Sequence, residues 1–264
     1  MKKVTAFVGC ARKKGTYHST RKFLDSLQAL GGVETELVPL NEYNLGVCRG
    51  CKVCFLKGEE FCPLKDDRDA LFAKIKASDG VVFATPNYSF QVSGLMKVFL
   101  DRLGFVFHRP NAFGKAYTSI VVQGIYGGNK LLSYLDFVGQ GLGFNTVKGT
   151  CITALEPMTV LEKQKADQAV EKQSRRFYAR LMKAGHPVPD LMQVMIFRMG
   201  RQSVKLELTA QDRDYAYYAE KGWFTSDYYY PTRLGPLKKL AGNLAESMAK
   251  RMVEKRHKSK MVES

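Results

Sequence analysis

Apolar and polar positions follow two periods along the first 184 residues, one typical of buried strands and one typical of amphipathic helices. Short apolar or alternating runs predict five strands, at residues 4–9, 34–40, 80–84, 117–124 and 146–154. Between and after them, apolar residues three and four apart predict helices that begin near Ser19, Asp66, Val92, Asn129 and Glu162. Because strand and helix alternate five times, we expect an α/β fold with a doubly wound five-stranded parallel sheet and helices on both faces.

The pattern changes after Gly185 and Pro187, which end the last of these helices. An apolar stretch at 191–199 is followed by an aromatic-rich patch at 215–230. A final helix is predicted with one apolar stripe, formed by Leu237, Leu240, Leu244, Met248 and Met252. We therefore expect a sheet domain over residues 1–186 and a mostly helical, aromatic-rich and basic extension over residues 187–264.

Composition narrows the class of protein. The chain of 264 residues is 45% hydrophobic and 25% charged, which suffices for one sizeable core. It has neither a signal peptide's apolar region nor a run long enough to span a bilayer, so we expect a cytoplasmic protein without a membrane partner. The net charge of +16 is spread out, with 20 basic and 12 acidic residues in 1–150 and 21 and 13 in the remainder. Without a zinc finger or an RNP-like motif, this charge favours anionic small ligands over nucleic acid.

The loop after the first strand has the character of a phosphate site. It lies between a strand and a helix N-terminus, where unpaired backbone N–H groups and the helix dipole favour an anion. Side-chain donors for a monophosphate are Arg12, Thr16, Ser19 and Thr20. The loop matches neither the G-x-G-x-x-G fingerprint nor the Walker A motif, which argues against binding of a dinucleotide in the Rossmann manner or of a nucleoside triphosphate.

Two further loops follow strands and suit a planar ring. Pro86 fixes the backbone as the chain leaves the third strand, Tyr88 is placed to cover a ring face, and Asn87 and Ser89 are placed to bond a ring edge. In the loop after the fourth strand, Gly127 and Gly128 allow backbone N–H groups to approach a ligand closely. Such donors would stabilise a reduced, anionic ring.

Four of the six cysteines lie within fifteen residues, as Cys48, Cys51, Cys54 and Cys62. In a reducing compartment, thiols spaced this closely favour metal ligands or redox groups over structural disulfides. Thiolates are the ligands that iron-sulfur clusters and zinc prefer. A [4Fe-4S] cluster, metal-free thiols and a zinc site are all compatible with the spacing, although structural zinc sites usually pair two short C-x2-C units across a longer spacer.

Together the three loops resemble those of the flavodoxin-like NAD(P)H-dependent FMN reductases, over roughly residues 3–184. The resemblance includes Thr85-Pro86-Asn87-Tyr88, Gly94-Leu95-Met96-Lys97, Asp101-Arg102 and Gly127-Gly128. The segment from Cys48 to Asp67 is similar to the cysteine loop of the iron-sulfur flavoprotein branch, which holds a [4Fe-4S] cluster beside the flavin. One departure is the first loop, which Lys13-Lys14 and Tyr17-His18 make more basic and bulkier than the usual Gly-Asn-Thr-Ser type.

The resemblance implies FMN, with its phosphate on Arg12, Thr16, Ser19 and Thr20. It places the isoalloxazine ring between two groups of residues, namely Thr85, Pro86, Asn87, Tyr88 and Ser89, and Tyr126, Gly127, Gly128 and Asn129. For a cluster, the implied ligands are Cys48, Cys51, Cys54 and Cys62.

The implied function is an oxidoreductase that takes hydride from NAD(P)H and reduces a small acceptor such as a flavin or quinone, with no side chain acting as acid or base. The alternative is an iron-sulfur flavoprotein that carries electrons between FMN, a [4Fe-4S] cluster and a ferredoxin-like partner. For either function we expect a homo-oligomer, a dimer or a tetramer.

Overall fold

The computed structural model describes residues 1–263, with side chains through residue 259. Its helices and strands in chain order are β1 (Lys2–Val8), α1 (Gly15–Ala29), β2 (Val33–Pro39), α2 (Val53–Leu56), α3 (Arg68–Ala77), β3 (Gly80–Tyr88), β4 (Gln91–Val92), α4 (Gly94–Arg102), α5 (Gly104–His108), β5 (Ala116–Gln123), α6 (Gly128–Gly141), β6 (Asn145–Thr146), β7 (Thr150–Thr153), α7 (Val160–Met182), α8 (Leu191–Glu207), α9 (Arg213–Glu220) and α10 (Pro236–Glu263).

The chain forms two compact units. The first contains Met1–Gly50 and Leu64–Gly185, and the second contains Cys51–Pro63 together with the chain from His186 onward. Most of the cysteine segment therefore belongs to the same unit as the C-terminal helices. Within that second unit, the short helix α2 packs against α9.

A parallel sheet organises the first unit, with the strand order β2-β1-β3-β5-β6. Val8 of β1 lies beside Ala84 of β3, which lies beside Ile120 of β5. The predicted fifth strand is present in two short pieces, β6 and β7, and both pair in parallel with β5. The predicted doubly wound parallel sheet is confirmed, and the helical character of the C-terminal region is confirmed with it.

Helices cover both faces of this sheet because successive strand residues point to opposite sides. Val4, Ala6 and Val8 pack in one cluster with Phe23 of α1 and Phe177 of α7. The two phenylalanine rings lie 5.7 Å apart. On the other face, the ring of Phe7 stacks on Phe99 of α4 at 5.1 Å. These apolar layers hold the strands in register, so the loops at their carboxyl ends have a rigid base.

A buried ion pair fixes the segment that precedes α3. An Arg102 guanidinium nitrogen lies 2.9 Å from the carboxylate of Asp66, and both side chains are almost fully buried. The same carboxylate accepts hydrogen bonds from the backbone N–H groups of Gly46, at 2.9 Å, and Arg68, at 3.2 Å. Burial alone would raise the pKa of Asp66, but the bonds from Arg102, Gly46 and Arg68 outweigh it and lower that pKa.

The second unit is held together by aromatic packing and by buried arginines. Trp223 contacts the rings of Tyr218, at 5.0 Å, and Tyr229, at 4.7 Å. Arg201 of α8 pairs with Glu246 of α10 at 2.5 Å, and Arg198 pairs with the same carboxylate at 3.3 Å. The aromatic-rich patch thus packs within the C-terminal unit. Among the described helices, none combines the length and the apolar character needed to cross a bilayer.

Candidate flavin site and cysteine segment

The carboxyl ends of β1, β3, β5 and β7 surround one cavity of about 240 Å³ in the first unit. This is the edge of a doubly wound sheet at which ligands usually bind. The residues that line the cavity are Cys10, Arg12, Lys14, Gly15, Thr16, Pro86, Asn87, Tyr88, Val122, Gln123, Gly124, Ala154 and Glu156.

The first wall is the loop between β1 and α1. A Cβ atom on Gly9 would lie 2.8 Å from the Cβ of Met96 and 2.9 Å from the Oγ of Ser93, so the close approach of β1 to α4 requires glycine here. Lys14 precedes α1 without a side-chain capping bond to the first turn. The N-terminal N–H groups of α1 at Gly15 and Thr16 therefore stand at the cavity wall, where they favour an anion.

The four predicted phosphate donors occupy different positions. Arg12 is exposed and lines the cavity, and Thr16 is buried and also lines it. Ser19 lies one turn further along α1 and lines a neighbouring groove between α1 and α7. Thr20 is fully buried, and its hydroxyl donates a 2.8 Å hydrogen bond to the carbonyl of Thr16. Of the four, only Arg12 and Thr16 lie at the cavity wall.

The second wall is the end of β3. Thr85 is fully buried, and its hydroxyl accepts a 3.0 Å hydrogen bond from the backbone N–H of Ser93, so it shapes the loop from beneath. Pro86, Asn87 and Tyr88 line the cavity, with Tyr88 half exposed. Ser89 follows with a φ of 50°, a left-handed conformation that turns the chain back into the short strand β4.

The third wall is the end of β5, where Val122, Gln123 and Gly124 line the cavity. The predicted residues of the loop that follows, Tyr126, Gly127, Gly128 and Asn129, do not line it. The side-chain amide of Asn87 donates a 2.9 Å hydrogen bond to the carbonyl of Tyr126 and so ties the second wall to this loop. Gly127 has a φ of +96°, and a Cβ atom there would lie 2.7 Å from the ring of Phe90. The ring of Phe90 in turn lies 5.2 Å from that of Tyr126. Glycine at 127 is thus required both by the backbone and by the close contact with Phe90.

Gly128 is the first residue of α6, and a side chain of β5 holds it in place. Its backbone N–H donates a 2.7 Å hydrogen bond to the Oε1 of Gln123. A Cβ atom at this position would lie 2.4 Å from the Sγ of Cys151. The N–H of Gly128 is therefore occupied within the protein. Asn129, the last residue predicted for this loop, is exposed on the first turn of α6.

Sequence reasoning did not identify several residues of the site. Gln123 holds the loop after β5, since its amide also donates to the carbonyl of Ile125 at 3.3 Å and to the hydroxyl of Thr153 at 3.1 Å. Lys14 and Glu156 line the cavity and form an ion pair at 3.5 Å. A polar residue at the end of the buried run 117–124 was the available signal for Gln123. Glu156 gave no signal, because only the parallel pairing of β7 with β5 brings its loop to the cavity.

The cavity offers chemistry that suits FMN. The Oδ1 of Asn87 is buried at its wall and has no hydrogen-bond partner within the described part of the chain. A buried acceptor of this kind is costly unless a ligand donates to it, and the N3–H of an isoalloxazine ring is such a donor. At the opposite wall, the N-terminus of α1, Arg12 and Lys14 supply positive charge for a phosphate. The residues present therefore fit the group that the resemblance implies.

The two cysteines near the cavity are packing residues. Cys10 lines the cavity and donates a 3.3 Å hydrogen bond from its thiol to the carbonyl of Arg12. Burial raises the pKa of Cys10, and it also raises the pKa of Cys151 below Gly128. Both groups therefore stay protonated thiols at neutral pH rather than reactive thiolates.

The four cysteines between residues 48 and 62 differ in their exposure. Cys48 and Cys51 are exposed, Cys54 is half-buried and Cys62 is buried. Left-handed backbone at Gly50 turns the chain between the first two cysteines, and left-handed backbone at Lys52 turns it again between the second and the third. Among the side chains of residues 1–259, no three from His, Cys, Asp or Glu lie close enough together to bind one metal ion. Four thiols form a donor set that suits a [4Fe-4S] cluster, but this conformation does not gather them.

Comparison with known proteins agrees with the fold. Residues 2–155 match the family model described as NADPH-dependent FMN reductase. The chain is 34% identical over 160 residues to an iron-sulfur flavoprotein of Archaeoglobus fulgidus, an alignment that covers 56% of this chain and 70% of the relative. It is 27% identical over 202 residues to an iron-sulfur flavoprotein of Clostridioides difficile, covering 74% and 85%.

Among solved structures, the chain is similar to the NAD(P)H:quinone oxidoreductase from Methanothermobacter marburgensis. The TM-score is 0.55 with 14% sequence identity, over 70% of this chain and 99% of the other. This likeness concerns the fold. The family model covers more than half of the sequence, including β1, β3, β5 and β7 and the loops that form the cavity. The chain therefore belongs to the NADPH-dependent FMN reductase family and has relatives named iron-sulfur flavoproteins.

Proposed function

We propose that this protein is an iron-sulfur flavoprotein that carries electrons between FMN, a [4Fe-4S] cluster and a ferredoxin-like protein partner. The observation that carries the proposal is the presence of Cys48, Cys51, Cys54 and Cys62 in a chain that aligns with 70% and 85% of the length of two relatives of that name. A flavin exchanges electrons singly or in pairs, whereas a cluster exchanges them singly, so the two groups together suit exchange with a one-electron partner.

The protein's own residues would hold FMN in the cavity of the first unit. Arg12, Lys14 and the N-terminal N–H groups of α1 bind the phosphate. The Oδ1 of Asn87 accepts from the ring edge, and Tyr88 covers part of the ring. The bond from Asn87 to Tyr126 keeps the second wall and the loop after β5 at a fixed separation, so the ring enters a preformed slot.

Cys48, Cys51, Cys54 and Cys62 would hold the cluster through their thiolates. Since no three of them converge in the present conformation, we expect the segment to rearrange when iron and sulfide bind. The left-handed turns at Gly50 and Lys52 and the positive φ of Gly58 are the points at which such a rearrangement would bend the chain. The net charge of +16 favours an acidic protein as the redox partner.

A second candidate is the two-electron reductase that passes hydride from NAD(P)H through FMN to a small acceptor. It is favoured by the family description, which names NADPH, and by the half-exposed ring of Tyr88 at the cavity wall. An exposed ring in this position leaves the flavin accessible to a second planar ligand. The two candidates share the flavin site and differ in whether the cysteines hold iron.

The deciding experiment uses the full chain purified without oxygen. We expect a flavin spectrum, together with about four iron and four sulfide per chain. Reduced ferredoxin should reduce the protein quickly, whereas NADPH should reduce it slowly. Flavin without iron, combined with fast bleaching by NADPH, would contradict the carrier function and support the reductase.

Matched serine variants locate the iron. Cys54→Ser and Cys62→Ser should each lose iron while retaining flavin. Cys151→Ser, which changes a thiol beneath the flavin cavity, should retain both groups. Iron that persists in both of the first two variants would show that these cysteines are not its ligands.

A further inference from the structure

The helix α10 presents an exposed apolar stripe. Five large side chains lie on it, each more than half exposed: Leu237 (71%), Leu240 (58%), Leu244 (58%), Met248 (56%) and Met252 (64%). Their spacing of three or four residues places them on one side of the helix. An apolar surface of this kind on a folded protein usually marks an interaction site, since the monomer gains nothing from leaving it in water.

The stripe is distinct from the face of α10 that packs within the unit. Ala245, Ala249 and Val253 are buried and belong to that packed face. Gly242 of α10 lies against Val194 of α8, and Arg256 of α10 pairs with Glu207 of α8 at 2.7 Å. The two helices therefore run parallel. Within the unit, α10 packs against α8, and the stripe takes no part in the packed face.

Several basic residues of α10 are paired within the unit. The amine of Lys238 donates to the carbonyl of Pro189 at 2.6 Å, and Lys239 lies 3.8 Å from Asp227. Lys250 lies 3.9 Å from Glu254. These three lysines are thus engaged inside the unit, whereas Arg251, three residues after Met248, stands on the side of the stripe at its C-terminal end. From Leu237 to Met248 the stripe itself consists of uncharged leucine and methionine, which an equally apolar surface would complement.

The order of the stripe residues is nearly symmetric about Leu244. Leu240 and Met248 stand four residues to either side of it, and Leu237 and Met252 stand seven and eight residues away. A two-fold contact requires one surface to fit itself. If two such helices cross in antiparallel orientation at Leu244, Leu240 meets Met248 and Leu237 meets Met252. The stripe therefore has the pattern of a self-complementary surface.

The exposed area of the stripe is also sufficient for a dimer interface. The five side chains expose roughly 500 Å² in each copy, or about 1,000 Å² for a pair, which is the lower bound for a specific interface. A groove of about 200 Å³ adjoins the stripe at Met252 and offers a hole for a partner side chain, with the lining Met199, Ser203, Glu207, Ala249, Met252, Val253 and Arg256. We propose that α10 is the homodimer interface of this protein, formed by two antiparallel α10 helices that cross at Leu244.

The test is the oligomeric state of the full chain by analytical ultracentrifugation. We expect a dimer for the unchanged protein. Leu244→Glu should weaken dimerisation by about thirtyfold or more, because a carboxylate would meet its own copy at the crossing point. The control is Leu161→Glu on α7, where the leucine is equally exposed at 58%. This variant should remain a dimer, and both variants should keep the far-UV circular dichroism of the unchanged protein.

A charge-exchange experiment tests the crossing point itself. Leu244→Glu and Leu244→Lys should each be monomeric, and an equimolar mixture of the two should form dimers, since opposite charges then meet. A monomeric unchanged protein, a dimer that survives Leu244→Glu, or a mixture that stays monomeric would overturn the proposal. Binding of a monomeric unchanged protein to phosphatidylglycerol vesicles would overturn it as well, in favour of a lipid occupant.

Discussion

The Oε1 of Gln123 accepts a 2.7 Å hydrogen bond from the backbone N–H of Gly128. The same side chain donates to Ile125 and to Thr153, so one amide joins the end of β5, the loop after it and β7. A loop of this kind depends on such an anchor, because its own residues, Ile125 and Tyr126, are largely exposed.

Replacing Gln123 with alanine should loosen the loop after β5. The change leaves the N–H of Gly128 without its acceptor, which costs about 1–3 kcal/mol of unfolding free energy. We expect FMN affinity, measured by quenching of flavin fluorescence, to fall roughly tenfold. The control is Ser133→Ala, which removes an exposed hydroxyl bond to Asn129 on the same helix α6. Equal FMN affinity in the two variants would show that Gln123 does not position the site.

Gly128→Ala should destabilise the protein by about 2 kcal/mol, because the new methyl group would collide with Cys151 and with Gln123. Gly124→Ala in the same loop is the matched control, since its nearest neighbour would be the Cδ1 of Leu155 at 3.9 Å. Thermal unfolding should show a lower Tm for the first variant and little change for the second. Adding Cys151→Ala to Gly128→Ala should recover part of the loss.

The phosphate site can be tested with two flavins. Arg12→Gln and Lys14→Gln should each weaken FMN binding by roughly tenfold, because each removes a positive charge from the cavity wall. Binding of riboflavin, which has no phosphate, should change little. Lys13→Gln, at a residue that does not line the cavity, serves as the control and should leave both affinities unchanged. A parallel loss of riboflavin binding would mean that these side chains support the loop rather than the phosphate.

The ion pair between Asp66 and Arg102 should make stability depend on pH. The pKa of Asp66 is lowered in the folded protein, so the stabilisation is present above about pH 4 and is lost as pH falls through the folded-state value. Asp66→Asn should cost about 3 kcal/mol at pH 7, since it removes the carboxylate that pairs with a buried guanidinium.

Thermal unfolding across pH measures this dependence. The difference in Tm between the unchanged protein and Asp66→Asn should shrink as the solution is acidified below about pH 4. Asp25→Asn, at an exposed carboxylate that makes no ion pair within the described side chains, should show no such dependence. A constant difference in Tm at all pH values would contradict the assignment.

Much of the site was predictable because it follows strands. A buried parallel strand is a continuous apolar run, and the loop after it must lie at the ligand-binding edge of the sheet. Arg12, Thr16, Pro86, Asn87 and Tyr88 were identified in this way and line the cavity. The prediction was less specific within α1, where sequence placed Ser19 and Thr20 with Thr16. The side chains of Thr16, Ser19 and Thr20 point in different directions from the helix, and which of them faces the cavity depends on how α1 packs against the sheet.

The sequence by itself determined the doubly wound sheet, the three loops that follow its strands and the apolar stripe of the last helix, because hydrophobic period and glycine position are local properties. Only the tertiary structure decided that Gln123 anchors Gly128, that Glu156 reaches the cavity, and that residues 51–63 join the C-terminal unit. It also decided that the stripe on α10 is left exposed. These are relations between distant segments, and a local pattern cannot specify which distant surface an element will meet.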